Sequence, residues 1–212
     1  QAGGGADASY THACVTRAYH ASRGELEKRN EIITTIQTHP CNPATAATAG
    51  FKVINLMLDE NGYPSLDALK AAVSDRTAAL MVVNPDDMGI YNPEIKEWIK
   101  IVHDAGGLCF YDHANFNGVM GKIRARELGF DACMYMLHKT FGAPKGGGGP
   151  AVGAYGCSEE LAKFLPTPVV TFDGEKYHLD FDRPESVGKV REFWGNVPQV
   201  VKAYSWSRCM GA

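Results

Sequence analysis

The sequence lacks several features that would place a protein in a class at once. It has no apolar run long enough to cross a membrane and no block of basic residues, and its net charge is only -3. We therefore expect neither a membrane protein nor a nucleic-acid-binding protein. No signal peptide is visible, so a cytoplasmic location is expected. A chain of 212 residues is long enough to bury one hydrophobic core.

The six cysteines also lack a recognisable pattern. No C-x-x-C pair and no zinc-ligand spacing occurs, so the sequence predicts no metal site. Several cysteines lie in apolar runs, and we interpret them as reduced core residues of a cytoplasmic protein. They are Cys14, Cys41, Cys109, Cys133, Cys157 and Cys209.

The most informative stretch is the one around Lys139. This lysine follows the apolar, strand-like residues 130–137 and precedes a run of glycines at 146–149. Proteins of the α/β class bind ligands at the carboxyl edge of the sheet, where this lysine is expected. Partial burial and nearby positive charge can lower the pKa of such an amine and make it a Schiff-base nucleophile. A solvated lysine at a strand end is the alternative.

A second strand-like run, residues 108–111, leads to Asp112. In an open parallel sheet, Asp112 and Lys139 would point into one crevice. This arrangement suits pyridoxal phosphate, because the lysine can hold the aldehyde and the aspartate can pair with the protonated pyridine nitrogen. A carboxylate and a protonated pyridine nitrogen about 4 Å apart, at an effective dielectric constant of about 20, attract each other by roughly 4 kcal/mol. That energy is enough to keep the ring protonated. The alternative for Asp112 is a helix N-cap.

Four segments together carry a resemblance to a known family. They are residues 111–117 (YDHANFN), 137–141 (LHKTF), 146–150 (GGGGP) and 177–184 (YHLDFDRP). In order and spacing they resemble the pyridoxal phosphate-dependent glycine decarboxylase of the glycine cleavage system, its P-protein, and most closely the second subunit of the two-subunit form. The likeness extends over the whole chain.

The alternation of helical and strand patterns predicts an α/β fold with a mostly parallel sheet flanked by helices. The resemblance implies the large domain of a fold-type I pyridoxal phosphate-dependent transferase, formed here as one domain by residues 1–212. The predicted helices cover residues 6–23, 43–49, 65–74 and 93–105, with another from Ser158 towards Phe164. Besides the strands before Asp112 and Lys139, strands are predicted at residues 31–37, 52–58, 79–83 and 151–155.

The resemblance also implies roles for individual residues. Lys139, Asp112 and His39 are the expected catalytic residues, with His39 stacked on the pyridine ring. Ala114 and His138 are expected to contact the cofactor. Gly4, Gly5 and Ala6 stand where relatives carry an Asn-Ser-Gly-Ala-Gln loop around the cofactor phosphate, and glycines before a helix can still offer backbone N–H groups. A structural role for His39 and a flexible terminus at Gly4 to Ala6 are the alternatives.

We expect substrate contacts from Asn42, Asn84, His113 and Lys145. Two of these residues depart from the family pattern, because relatives carry glycine at the position of His113 and histidine at that of Lys145. Asp86 and Asp87 also depart from it. These changes could alter which substrate fits and which bond breaks, or they could be solvated loop positions.

The main functional hypothesis is decarboxylation of glycine, with aminomethyl transfer to the lipoyl group of an H-protein. The resemblance implies a homodimer or a partner subunit. Relatives also have an amino-terminal segment and a small carboxyl-terminal domain, which these residues do not include, and without such closure we expect full activity to be impaired. Two other hypotheses stay open: another pyridoxal phosphate reaction on a small amino acid (aldolase, aminotransferase or lyase), and a non-catalytic remnant that acts through protein contacts.

Overall fold

The computed structural model describes residues 2–147, 149–191 and 194–211, so Gly148 of the glycine run lies outside the described residues. The helices are α1 (Gly5–Ser22), α2 (Cys41–Thr48), α3 (Leu66–Ala72), α4 (Ile95–Asp104), α5 (Ala125–Leu128), α6 (Glu159–Ala162) and α7 (Val197–Met210), with a 3₁₀ helix at Phe116–Gly118. The strands are β1 (Glu31–Thr35), β2 (Lys52–Leu56), β3 (Thr77–Val83), β4 (Leu108–His113), β5 (Ala132–Met136), β6 (Gly153–Cys157), β7 (Val169–Phe172) and β8 (Tyr177–Asp180).

A six-stranded sheet with the order β2-β1-β3-β4-β5-β6 forms the centre of the molecule. Strands β1 to β5 are parallel, and β6 pairs with β5 in the antiparallel direction at the edge. Val83 lies opposite Asp112, and Asp112 lies opposite Met134. The carboxyl ends of β1, β3, β4 and β5 therefore meet at one edge, and the predicted α/β fold with a mostly parallel sheet is confirmed.

Both faces of this sheet are covered, which explains why nearly every residue of β1, β3 and β4 is buried. On one face α1 packs against Met81, Phe110 and Met134. On the other face lies α4, whose apolar residues recur at helical spacing and are buried: Ile95, Trp98, Ile99 and Val102. Full burial of one such aliphatic side chain contributes about 1.5–3 kcal/mol. These two apolar layers hold the strand ends in place.

The structure excludes the alternative given for Asp112. Strand β4 continues through Asp112 to His113, and the next helical element begins only at Phe116. Asp112 is therefore a strand residue and not a helix N-cap. Ser158 precedes α6 without forming a side-chain capping bond, whereas Ser65 accepts a hydrogen bond from the Ala68 N–H over 3.1 Å at the start of α3.

The hairpin of β7 and β8 was not predicted. Its register places four exposed apolar side chains on one face: Val170, Phe172, Tyr177 and Leu179. The cysteines were only partly interpreted correctly, because Cys41 and Cys109 are buried but Cys209 is exposed, and all six are free. Within the described part of the chain, none of the helices combines the length and apolarity needed to cross a bilayer.

Candidate active site

Two adjoining cavities lie at the carboxyl edge of the sheet. The larger one, of about 430 Å³, is formed mainly by the loops after β1, β3 and β4. The smaller one, of about 190 Å³, lies between the start of α1 and the loop after β5. His39, Ala114 and Lys139 line both cavities, and Asp112 lines the larger one. The structure thus brings together the three expected catalytic residues, although they are far apart in the sequence.

Lys139 lies in the turn that follows β5. Its backbone N–H and that of Thr140 donate to the Met136 carbonyl over 3.1 and 3.4 Å, which positions the lysine three residues beyond the strand. The Lys139 residue is exposed, so the partial burial expected of its amine is not found. Its side chain lines both cavities, where it can reach a ligand.

Asp112 is the buried charge of the site, with only 3% of its surface exposed. Its Oδ1 accepts a hydrogen bond from the Ala114 N–H over 2.9 Å, and its Oδ2 accepts one from Asn42 Nδ2 over 3.0 Å. Burial raises the pKa of Asp112, while these two donors and the nearby His39 and Lys139 lower it. The carboxylate therefore lies where a cationic ligand group would favour its ionised form.

Asn42 does not occupy the expected place. It is fully buried, and its side chain is engaged by Ser9, Thr38 and Asp112. It is absent from the residues that line the two cavities described above. A substrate contact has no support in this geometry, because the amide group has no free end to offer a ligand.

His39 lies in the segment between β1 and α2 and is exposed at the boundary of the two cavities. Its Nδ1 accepts a hydrogen bond from the Cys41 N–H over 3.1 Å, at the first residue of α2. An accepting Nδ1 places the proton of a neutral ring on Nε2. The helix start thereby anchors the imidazole while leaving its other nitrogen available.

The smaller cavity collects the residues expected around the cofactor phosphate. Gly4, Gly5 and Ala6, at the amino end of the 18-residue helix α1, face His138 and Lys145 across it. His138 Nδ1 accepts a hydrogen bond from the Val152 N–H over 3.3 Å, and burial lowers the pKa of His138. The amino terminus of α1, together with Lys139 and Lys145, favours an anion in this cavity.

His113 and Asn84 border the larger cavity, but other residues constrain both side chains. The His113 ring stacks on Tyr135 at 5.5 Å between centroids, and burial lowers the pKa of His113 to about 4. The Asn84 side chain is bound at both ends by the backbone of Asn92, over 2.8 and 3.1 Å. Asn84 therefore shapes the cavity wall, and its amide is not free for the expected substrate contact.

The two acidic departures from the family pattern also border the larger cavity. Asp86 Oδ1 accepts hydrogen bonds from the N–H groups of Met88 and Ile90, both over 2.9 Å, and so closes its own turn. Asp87 is exposed. The sequence reasoning missed Ser9 and Thr38, which hold Asn42, because no local motif relates them to Asp112.

Comparison with known proteins agrees with this geometry. The model of the aminotransferase class-V family matches residues 8–170. The chain belongs to the aminotransferase class-V family. Enzymes of this family depend on pyridoxal phosphate, and the fold is the α/β fold of fold-type I enzymes. This agreement confirms the fold class and the resemblance described above.

Individual proteins are also similar to this chain. The chain is 48% identical, over 100% of its length, to the probable glycine dehydrogenase (decarboxylating) subunit 2 of Pyrococcus abyssi and to that of Thermococcus kodakarensis. It spans 42% of the length of each of these relatives. Among solved structures, glycine decarboxylase (P-protein) of the glycine cleavage system matches 96% of this chain and 47% of its own, with a TM-score of 0.70 and 19% identity.

Proposed function

We propose that the chain is the cofactor-binding large domain of a glycine dehydrogenase (decarboxylating) subunit and that it decarboxylates glycine with pyridoxal phosphate. The observation that carries this proposal is the meeting of Asp112, Lys139 and His39 at two adjoining cavities. The two relatives that are 48% identical bear that name. The chain spans 42% of the length of these relatives. The activity of the whole protein is therefore proposed for this chain and is not taken over from them.

The residues at the two cavities fit pyridoxal phosphate. Three groups match three parts of the cofactor. The buried carboxylate of Asp112 suits the pyridine nitrogen, and the exposed amine of Lys139 suits the aldehyde. The amino terminus of α1 suits the phosphate. Gly4 has an extended backbone with φ 169°, and the nearest atom to a Cβ added there would be the Ala151 Cβ at 3.9 Å. This space lets backbone N–H groups approach an anion closely.

Each residue then has a defined task. Lys139 would hold the aldehyde of the cofactor, and Asp112 would keep a proton at its pyridine nitrogen. His39 would contact the ring, and the amino end of α1 would bind the phosphate. Lys145 lines the same small cavity, and we assign it to the phosphate and not to the substrate. When bound, pyridoxal phosphate supplies an electron sink for the carbanion left by loss of the carboxylate.

The proposed partners follow from the proposed reaction. Glycine is the substrate, and a lipoyl carrier protein accepts the aminomethyl group. The relatives are named as one subunit of an enzyme, which supports assembly with a partner subunit or a second copy. The proposed location is the cytoplasm.

Release of labelled carbon dioxide tests the proposal. The protein is incubated with pyridoxal phosphate, carboxyl-labelled glycine and a lipoylated carrier, alone and together with the partner subunit of a relative. We expect release from the parent and from Lys70→Ala, which changes an exposed lysine on α3, but not from Lys139→Ala. If the parent holds the cofactor on Lys139 but releases nothing even with the partner subunit, decarboxylation of glycine by this chain is contradicted.

Another reaction on a small amino acid is the second candidate. Asp87 and His113, which depart from the family pattern, both border the larger cavity, where a substrate side chain would lie. The same incubation with a panel of small amino acids, followed by product analysis, distinguishes the candidates. Turnover of one of these amino acids without turnover of glycine would favour an aldolase, aminotransferase or lyase reaction. Failure to capture the cofactor at all would favour the non-catalytic remnant.

A further inference from the structure

A chain of buried hydrogen bonds connects helix α1 to Asp112. Ser9 Oγ donates to Asn42 Oδ1 over 2.9 Å, and Asn42 Nδ2 donates to Asp112 Oδ2 over 3.0 Å. Ser9 and Asn42 are fully buried, and Asp112 is 3% exposed. Because water cannot easily replace these bonds, loss of one of them leaves a buried polar group without a partner.

The chemistry of the groups sets the direction of the chain. An ionised carboxylate only accepts hydrogen bonds, so Asn42 must present its NH₂ group to Asp112. The second hydrogen of that NH₂ group is accepted by Thr38 Oγ1 over 2.7 Å. The carbonyl oxygen of Asn42 then faces the hydroxyl of Ser9. Rotating the amide by 180° would place its oxygen against the Asp112 carboxylate.

We propose that Asn42, held by Ser9 and Thr38, is a positioning residue that orients the Asp112 carboxylate and favours its ionised form. This inference rests on the proposed function, in which Asp112 pairs with the pyridine nitrogen of the cofactor. Ser9 lies one helical turn after Gly5 on α1, so the helix that borders the small cavity also supports the carboxylate at the large one.

Other groups around Asp112 must be considered in any titration. His39 and Lys139 lie close enough to lower the pKa of Asp112, and the Ala114 N–H donates to its Oδ1. Cys41 also lies in this environment, with its Sγ 3.6 Å from Ser9 Oγ, and burial raises the pKa of this thiol to about 11. The thiol is therefore neutral where Asp112 titrates. The amide of Asn42 is the side-chain donor to Asp112 that a substitution can remove.

Titration of Asp112 in the cofactor-free protein tests the inference. Carbon NMR of labelled aspartate carboxyl groups follows the titration, and Asp112→Asn identifies the signal. We expect Asn42→Ala to increase the proton affinity of Asp112 about tenfold, since it removes one hydrogen bond to a charged group. Thr38→Val should act in the same direction with a smaller change, and Thr38→Ser should restore the parent value. Asn30→Ala, at an exposed asparagine before β1, is the matched control and should change nothing.

Two outcomes are decisive. If Asn42→Ala and Thr38→Val titrate like the parent, Asn42 does not favour the ionised carboxylate and the inference is wrong. Should Asn42→Ala fail to fold by circular dichroism, the Thr38→Val and Thr38→Ser pair decides alone. The titration needs no cofactor, so it can succeed even if Lys139 captures none, and that separate failure would count against the proposed function only.

Discussion

The backbone of Gly4 leaves no room for a side chain at Gly153. A Cβ added at Gly153 would lie 2.9 Å from the Gly4 carbonyl oxygen and 2.8 Å from Met136 Cε. The Gly153 N–H also donates to the Ala2 carbonyl over 3.1 Å. The first residue of β6 therefore supports the segment that enters α1, and the shape of the small cavity depends on it.

Gly153→Ala is expected to weaken the binding of pyridoxal phosphate and to lower the free energy of unfolding by about 1–3 kcal/mol, the usual cost of overpacking. The added methyl group must displace both the Gly4 backbone and the Met136 side chain. Equilibrium titration and urea denaturation measure the two effects. Gly156→Ala is the matched control on the same strand, because among the described residues its Cβ would meet Cys133 Sγ alone within 4 Å, at 3.9 Å. Equal behaviour of the two variants would contradict the role given to Gly153.

Gly4→Ser is expected to tighten cofactor binding by about 0.5–1.5 kcal/mol, the net value of one added hydrogen bond. The backbone at Gly4 is extended, and the nearest neighbour of an added Cβ is 3.9 Å away, so a serine fits without strain. Its hydroxyl could donate to the phosphate. Titration of both proteins with pyridoxal phosphate gives the difference. Unchanged affinity would mean that the phosphate binds away from the start of α1.

Lys139→Ala is expected to abolish covalent attachment of the cofactor and to leave the fold intact, because the residue is exposed and contributes little to packing. Borohydride reduction followed by peptide mapping shows where the cofactor is attached. Lys145→Ala serves as the control, since it borders the same small cavity but should retain attachment at Lys139. Cofactor trapped on the Lys139→Ala protein would overturn the assignment.

Asp112→Asn is expected to keep the cofactor bound but to slow the reaction by roughly two orders of magnitude. A neutral amide cannot stabilise the protonated pyridine nitrogen, and a loss of about 3 kcal/mol in the transition state corresponds to that change in rate. Single-turnover kinetics with saturating substrate measure it. A rate equal to that of the parent would show that Asp112 does not contact the ring nitrogen.

The contact between His103 and Asp131 is expected to make the free energy of unfolding depend on pH. His103 Nε2 lies 2.9 Å from Asp131 Oδ2, and this hydrogen bond raises the pKa of His103. Because the pKa is higher in the folded protein, the ion pair stabilises the fold fully below the unfolded pKa of about 6.5. This stabilisation is lost as the pH rises through the folded pKa. Denaturation of the parent and of His103→Gln should therefore differ more at pH of about 5 than at pH of about 9. A difference independent of pH would contradict the ion pair.

Several features of the fold could be predicted from the sequence because they depend on local patterns. Apolar runs and the helical spacing of residues such as Trp98 and Val102 predicted most helices and strands. The position of Lys139 after a strand-like run, followed by a glycine-rich segment, predicted its place at the carboxyl edge of the sheet. These signals lie within short windows of the chain, where neighbouring residues determine the backbone conformation.

The tertiary structure decided what depends on residues far apart in the sequence. Asn42 meets Asp112 across 70 positions and Ser9 across 33, and no local pattern relates these residues. Asn42 was expected to contact the substrate, but its side chain belongs to a buried hydrogen-bond chain. Packing of α1 and α2 against the sheet excludes its amide from solvent. The physical reason is that burial, and not residue type, determines which partner a polar side chain must find.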